Sequence, residues 1–142
     1  MTSEFWKGKR VLVTGGRGFF GSHLVDHLQA AGAEQISAPR SVQYDLRDRA
    51  AVRRILQADR PDVVFHLAAE VGGIYKNQTH PASMVFDNSI MGLHVIEECM
   101  AFGVKKLVLA GSICAYPKHA PIPIVEADLW NGYPEETNAP YG

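Results

Sequence analysis

The sequence has few cysteines and no excess of charge. Its two cysteines, Cys99 and Cys114, lie in different contexts and form neither a disulfide framework nor a pair at metal-binding spacing. The histidines His80, His94 and His119 have no Cys, Asp or Glu partner at the spacing of a metal site, so we assign no metal. The formal net charge is −1, which gives no electrostatic reason to expect binding to nucleic acid or to an acidic membrane.

Long apolar runs are also missing. No stretch approaches the roughly 20 apolar residues that a membrane-spanning helix needs. The first ten residues, MTSEFWKGKR, lack the apolar segment of a secretory signal, so we expect a cytoplasmic protein. The 142 residues, of which 46% are hydrophobic, are enough for one modest globular domain with a core, and we assign residues 1–142 to that domain.

Short apolar runs alternate along the chain with segments of helical spacing. The runs predict buried strands over residues 11–14, 35–38, 63–67 and 106–110, and the spacing predicts helices over 19–31, 50–56 and 81–102. This alternation predicts a Rossmann-type, doubly wound parallel sheet with helices on both faces, incomplete at its C-terminal side. His66 is expected to be a hydrogen-bonded core histidine. Five prolines after Cys114 predict a long irregular segment, and irregular segments of that length are commonly functional.

A glycine-rich turn lies between the first predicted strand and the first predicted helix. Its glycines follow the spacing GxxGxxG, which permits a tight turn, a close approach of backbone to a pyrophosphate, and close packing of helix on strand. The N-terminus of the helix offers free N–H groups to phosphates. We therefore expect a dinucleotide site, and its candidate residues in the turn are Gly15, Gly16, Arg17, Gly18, Phe19 and Gly21.

The choice between NADP and NAD depends on the end of the second strand. NAD enzymes commonly place an acid there for the ribose 2′-hydroxyl, but residues 37–41 contain none. Arg40 stands in that segment and Arg17 in the glycine turn, and two guanidinium groups favour a 2′-phosphate. The alternative is that both are solvated surface residues. Asp45 and Leu46 are candidates for the adenine edge, or equally for a helix cap.

Three segments together resemble a known family. They are the glycine turn, His66-Leu67-Ala68-Ala69 at a central strand, and Gly111-Ser112 after a later strand. The chain resembles the extended short-chain dehydrogenase/reductases, also called the NAD-dependent epimerase/dehydratase family. VGGI at 71–74, GSICAYP at 111–117 and EETNAPYG at the end are similar to the GDP-L-fucose synthase branch of that family.

The resemblance implies an activity and its residues. The branch epimerises GDP-4-keto-6-deoxymannose at C3 and C5 and reduces it at C4 with NADPH. Ser112 and Tyr141 match the catalytic Ser and Tyr, and Cys114 matches a Cys that assists epimerisation. Asn88 matches an Asn that helps to position the catalytic groups. Leu67, Ala68 and Ala69 fall in the family's cofactor-binding segment.

Each of these roles has a structural alternative. Ser112 would otherwise be a turn or cap residue, Cys114 an inert buried thiol, and Asn88 a helix residue with a backbone role. Two other functions also remain open. One is a different nucleotide-sugar 4-epimerase or dehydratase, which would retain NAD. The other is a non-catalytic dinucleotide-binding module.

The resemblance also implies what the active enzyme needs. The family's catalytic Lys would stand four residues after Tyr141, beyond Gly142, and the family's assisting His and substrate-binding domain have no counterpart in this sequence. We therefore expect the 142-residue chain on its own to show no reductase activity. The intact enzyme is expected to bind a GDP-sugar and to be a homodimer.

Overall fold

The structure is a computed structural model that describes residues 4–139. Its elements in chain order are β1 (Arg10–Thr14), α1 (Phe19–Ala30), β2 (Gln35–Ser37), α2 (Arg49–Asp59), β3 (Val63–His66), α3 (Gly73–Thr79), α4 (Pro81–Ala101) and β4 (Lys106–Leu109). The described residues divide into two compact units. The first comprises 4–69 and 89–110, and the second comprises 70–88 and 111–139.

The four strands form one parallel sheet in the first unit, in the order β2-β1-β3-β4. Val11 of β1 pairs with Ile36 of β2 on one side and with Val63 of β3 on the other. The pairing of β1 with β3 ends at Thr14 opposite His66. The predicted parallel sheet is therefore confirmed.

Side chains alternate across the sheet and bury two separate cores. Val11 and Val13 of β1 face a cluster that includes Leu28 of α1, whereas Leu12 faces the opposite cluster. That second cluster includes five residues of α2 and α4: Val52, Ile55, Leu56, Val95 and Cys99. Helices therefore cover both faces of this sheet, as the sequence predicts, because a strand buried on both sides must be apolar at every position.

The chain reverses its direction of winding at β1. It moves from β1 to β2 on one side, then returns past β1 to add β3 and β4 on the other. The connections after β1 and β3 consequently leave the sheet in opposite directions. In open parallel sheets, the crevice outside the carboxyl ends of such neighbouring strands is the usual ligand site.

The predicted elements agree with the structure to within three residues at each end. One helix was not predicted, α3, which is only seven residues long, begins at a glycine and has no regular apolar spacing. Between 111 and 139, where prolines predict irregular structure, regular structure is limited to two 3-10 segments, Ile113–Ala115 and Glu126–Trp130. None of the helices within residues 4–139 is long and apolar enough to span a membrane.

A buried carboxylate joins α2 to α4. Glu98 of α4 is 0% exposed, and its Oε1 accepts hydrogen bonds from Arg49 Nε at 2.6 Å and from an Arg53 terminal nitrogen at 2.9 Å. Arg53 Nε also donates to Oε2 at 3.0 Å. These hydrogen bonds, first those from Arg53 and then that from Arg49, hold the pKa of Glu98 below its ordinary value of 4.5. The two guanidinium groups supply the partners that a buried carboxylate requires.

We predict that Glu98→Gln lowers the denaturant midpoint of unfolding at pH 7, because two arginines then lose their charged partner. The folded-state pKa of Glu98 is depressed, so its contribution to stability is present above about pH 4.5 and is lost as the pH falls through the folded value. The wild-type midpoint should therefore fall more steeply than that of Glu98→Gln below about pH 4.5.

Glu97→Gln is the matched control. Glu97 is half-exposed and accepts one hydrogen bond, from an Arg49 terminal nitrogen at 2.8 Å. Exposed ion pairs contribute little to stability, so this neighbouring substitution should leave the midpoint and its pH dependence nearly unchanged. Equal effects of the two substitutions on the midpoint would show that the burial of Glu98 adds nothing to its contribution to stability.

Candidate functional site

The glycine turn lies against the end of β3. Gly15 has a φ of +70°, and a Cβ at this position would lie 2.8 Å from the backbone N of Ala68. Real Cβ atoms do not approach backbone that closely, and L side chains rarely adopt this φ. Two hydrogen bonds close the turn, from Gly16 N to the carbonyl of Val13 at 3.2 Å and from Gly18 N to the carbonyl of Gly15 at 2.9 Å. Only glycine fits at position 15.

The start of α1 is packed against the same turn. A Cβ on Gly21 would lie 2.6 Å from the Cα of Gly16, so the helix could not begin this close to the turn with a larger residue. Gly18 precedes the helix and supplies no side-chain cap. The first N–H groups of a helix have no partner within it, so α1 presents free donors beside the crevice. Phe19, its first residue, has an exposed side chain.

Arg17 is anchored at the end of β2. Its Nε donates to the carbonyl oxygen of Ala38 at 2.9 Å, and its terminal nitrogens make no hydrogen bond or ion pair within residues 4–139. Arg40 lies two residues further along, in a turn where its backbone N donates to Gln43 Oε1 at 3.1 Å and its carbonyl accepts from Gln43 N at 2.9 Å. The guanidinium of Arg40 likewise has no partner within residues 4–139.

Asp45 and Leu46 have local roles in the structure. The carboxylate of Asp45 accepts from the backbone N of Arg47 at 3.0 Å and from its guanidinium, which lowers the pKa of Asp45. The side chain of Leu46 is buried in the core against α2 and α4, and its carbonyl oxygen lies 3.3 Å from His94 Nδ1, so its backbone N–H is the group that remains for a ligand. The residue that caps α2 is Asp48, whose Oδ1 accepts from Ala50 N at 2.9 Å.

The segment after β3 forms the other side of the crevice. Leu67 N donates to the carbonyl of Thr14 at 3.1 Å, which continues the pairing with β1 past the end of β3. Ala68 follows, directly beside Gly15, and is succeeded by Ala69. The predicted cofactor residues of the turn and of this segment are thus brought together on neighbouring strands of the first unit.

Ser112 and Cys114 belong to the second unit. Ser112 caps the 3-10 segment Ile113–Ala115, and its Oγ accepts a hydrogen bond from Cys114 N at 3.1 Å. The cap that sequence reasoning offers as an alternative role is therefore present. It uses only a lone pair of the oxygen, so the hydroxyl proton of Ser112 remains able to donate. Both side chains are half-buried.

Asn88 holds the backbone at Glu70 within the second unit. Its Oδ1 accepts from Glu70 N at 2.7 Å, and its Nδ2 donates to the Glu70 carbonyl at 3.0 Å. These two hydrogen bonds satisfy the backbone N–H and the carbonyl of Glu70, as a neighbouring strand would do. Asn88 therefore has the backbone role that the sequence left open as an alternative.

Tyr141 lies outside the described residues, but the segment before it is ordered by side chains. Glu135 accepts hydrogen bonds from the backbone N of Thr137 at 3.0 Å and from its hydroxyl. Asn138 Oδ1 accepts from Nδ2 of Asn77, a buried residue of α3, at 3.0 Å. Sequence reasoning missed Asn77, since no local pattern links residues that are 61 positions apart.

The comparison with known families agrees with this geometry. The model of the NAD dependent epimerase/dehydratase family matches residues 11–142, which include both the glycine turn and Ser112. The chain belongs to that family. Among the part of the chain that the structure describes, no group of three or more His, Cys, Asp or Glu could hold a metal ion.

The names of the matched relatives refer to enzymes of nucleotide sugars. The GDP-L-fucose synthase of Azorhizobium caulinodans is 40% identical over 135 residues, which is 95% of this chain and 43% of that protein. The GDP-L-fucose synthetase of Naegleria fowleri, solved with NADP bound, is 32% identical with a TM-score of 0.84 over 95% of this chain and 40% of that one. The chain spans less than half the length of the relatives it matches.

A second solved member of the family is a GDP-mannoheptose C4 reductase from Campylobacter jejuni with NADP bound. It is 26% identical, with a TM-score of 0.89 over 99% of this chain and 43% of that one. The chain therefore has the fold of NADP-binding members of its family.

The glycines of the turn give a test of this geometry. Gly15→Ala should destabilise the chain by about 1–3 kcal/mol, because the new methyl group meets the backbone of Ala68 at a positive φ. Thermal or denaturant unfolding measures the change.

Gly92→Ala is the matched control within the same unit. Gly92 lies inside α4, and a Cβ there meets nothing within 4 Å. Alanine in a helix interior should stabilise by about 0.5–1 kcal/mol, so the two substitutions should have opposite signs. Destabilisation of similar size by both would contradict the close approach at Gly15.

Proposed function

We propose that the chain is the NADP-binding portion of a nucleotide-sugar epimerase/reductase of the GDP-L-fucose synthase kind. The observation that carries the proposal is the approach of Gly15 to Ala68 at the point where the sheet reverses its winding. A turn so close to the neighbouring strand has no side chain at Gly15 to block a ligand, and the first N–H groups of α1 remain to bind it. Such a site suits the pyrophosphate of a dinucleotide.

The residues present fit a dinucleotide. Positions 15 and 21 have no space for a Cβ, and the N-terminus of α1 has no side-chain cap that would compete with a phosphate. The pyrophosphate would be held by the backbone of the turn and by the first N–H groups of α1.

The arginines favour NADP over NAD. Arg17 is fixed through Nε to Ala38, which leaves its two terminal nitrogens directed away from that bond, and Arg40 follows in the next turn. A guanidinium held at one edge can donate two parallel hydrogen bonds to a phosphate. No carboxylate occurs in residues 37–41 to bind a free 2′-hydroxyl. We therefore assign the 2′-phosphate to Arg17 and Arg40.

The proposed reaction is the 3,5-epimerisation and 4-keto reduction of GDP-4-keto-6-deoxymannose, and NADPH supplies the hydride. The hydroxyl proton of Ser112 hydrogen-bonds the C4 ketone oxygen, which stabilises the negative charge that develops there. Cys114 moves a proton at the carbon next to the carbonyl, because a thiolate can accept a proton and the thiol so formed can donate it again. Tyr141 protonates the reduced oxygen once a neighbouring cation has lowered the pKa of its phenol.

Cofactor titration tests the first half of the proposal. The chain should bind NADPH more tightly than NADH, and Arg17→Ala should weaken NADPH binding by about tenfold or more while barely changing the affinity for NADH. Fluorescence or calorimetric titration of both cofactors gives the four affinities. Arg54→Ala is the control. This exposed arginine of α2 makes a long ion pair with Asp48, at 3.9 Å, and its loss should not change the affinity for either cofactor. Equal affinity of the wild type for NADH and NADPH would contradict the assignment of the arginines.

Deuterium exchange tests the catalytic half, in the full-length gene product. In D₂O, Cys114→Ala should reduce deuterium incorporation beside the ketone by about 100-fold or more, because one proton carrier is lost. Reduction of the ketone by NADPH should persist in that variant. Ser112→Ala should instead slow both NADPH consumption and exchange, because the C4 oxygen becomes negatively charged both in the enolate and in the reduction. Loss of ketone reduction in Cys114→Ala as well would show that the two residues do not have separate roles.

A further inference from the structure

A buried polar pair joins the carboxyl ends of β1 and β3. Thr14 is 3% exposed and His66 is 8% exposed, and these two residues lie opposite each other in the sheet register. Thr14 Oγ1 and His66 Nδ1 are 2.7 Å apart, a short hydrogen bond within the core. Two apolar residues would fill this position without the cost of burying polar groups, so the pair needs an explanation beyond packing.

A third group completes the arrangement. The backbone N of Ala68 donates to Thr14 Oγ1 at 3.4 Å, and Ala68 is the residue against which Gly15 is packed. Burial lowers the pKa of His66, so the imidazole is neutral and one of its nitrogens can accept a hydrogen bond. The Thr14 hydroxyl can donate only one proton. If that proton goes to Nδ1, the lone pairs of the oxygen are left for the N–H of Ala68.

We propose that His66 is a positioning residue for the dinucleotide: its Nδ1 accepts the Thr14 hydroxyl proton and thereby turns the oxygen towards Ala68 N–H. This fixes the separation between the glycine turn and the segment after β3. The inference rests on the proposed function, because the ligand it serves is the dinucleotide bound at that crevice. His66 acts through Thr14 and Ala68 and does not itself contact the ligand.

The geometry leaves little freedom at this point. The site of a Cβ on Gly15 is already 2.8 Å from Ala68 N and 2.9 Å from the carbonyl carbon of Leu67. A shift of a few tenths of an ångström in the segment after β3 therefore changes the shape of the turn. Loss of the acceptor at position 66 would free the Thr14 hydroxyl to rotate and release Ala68.

Two substitutions at position 66 separate this role from packing. In His66→Asn, the side-chain oxygen can take the place of Nδ1 as an acceptor, although the residue is smaller. In His66→Leu, the volume is nearly kept but the acceptor is lost. We expect NADPH affinity to stay within about threefold of wild type for His66→Asn and to fall about tenfold or more for His66→Leu. The reverse order, or equal losses, would overturn the proposal.

Two substitutions of Thr14 test the same proposal if a His66 variant does not fold. Thr14→Ser keeps the hydroxyl and loses a methyl group, whereas Thr14→Val keeps the shape and loses the hydroxyl. The proposal expects NADPH affinity close to wild type for Thr14→Ser and about tenfold or more weaker for Thr14→Val. A packing role predicts the opposite order. That opposite order would overturn the proposal.

Amide hydrogen exchange separates this inference from the proposed function. In the absence of cofactor, the Ala68 amide should exchange about tenfold or more faster in His66→Leu than in wild type, and at the wild-type rate in His66→Asn. If the wild type binds neither NADPH nor NADH, the proposed function fails and this exchange pattern still decides whether His66 positions Ala68. Unchanged exchange at Ala68 in His66→Leu would overturn the inference even if the wild type binds NADPH.

Discussion

The close approach of backbone to backbone at Gly15 is the constraint on which the proposed cofactor site depends. β1 and β3 are neighbouring parallel strands, and the chain leaves them in opposite directions. The turn after β1 must therefore pass the end of β3 with no side chain between them, which glycine at positive φ achieves. The same closeness brings the first N–H groups of α1 to the crevice, so one steric requirement serves both the fold and the proposed phosphate site.

The two cores keep these strands in register. α1 packs on one face of the sheet and α2 with α4 on the other, so β1 and β3 are held from both sides. The Glu98 carboxylate adds a directional bond to the second layer, because Arg49 and Arg53 must leave α2 at fixed positions to reach it. Apolar packing alone would permit small sliding of α2 along α4. The carboxylate therefore fixes the position of α2 against α4 behind the strands.

Local sequence patterns predicted most of this fold. The features that these patterns missed depend on contacts between residues far apart in the sequence. Short apolar runs and glycine positions identify the strands, the helices other than α3, and the turn, because each signal lies within a few residues. The partnership of Thr14 with His66 spans 52 positions and that of Arg49 with Glu98 spans 49, and no local signal marks either. Sequence correctly suggested a hydrogen-bonded core position for His66, but only the register of β1 with β3 identifies its partner.

In the proposed function, recognition of the dinucleotide and discrimination between NAD and NADP depend on different kinds of group. The turn, α1 and the segment after β3 offer backbone N–H groups and neutral buried side chains, which suit the part that NAD and NADP share. Arg17 and Arg40 are exposed, and no core packing depends on them. Cofactor preference can therefore change through the arginines at little cost in stability. A change at Gly15 is expected to alter the fold and the binding of both cofactors together, because the turn proposed to bind them is also the junction of two strands.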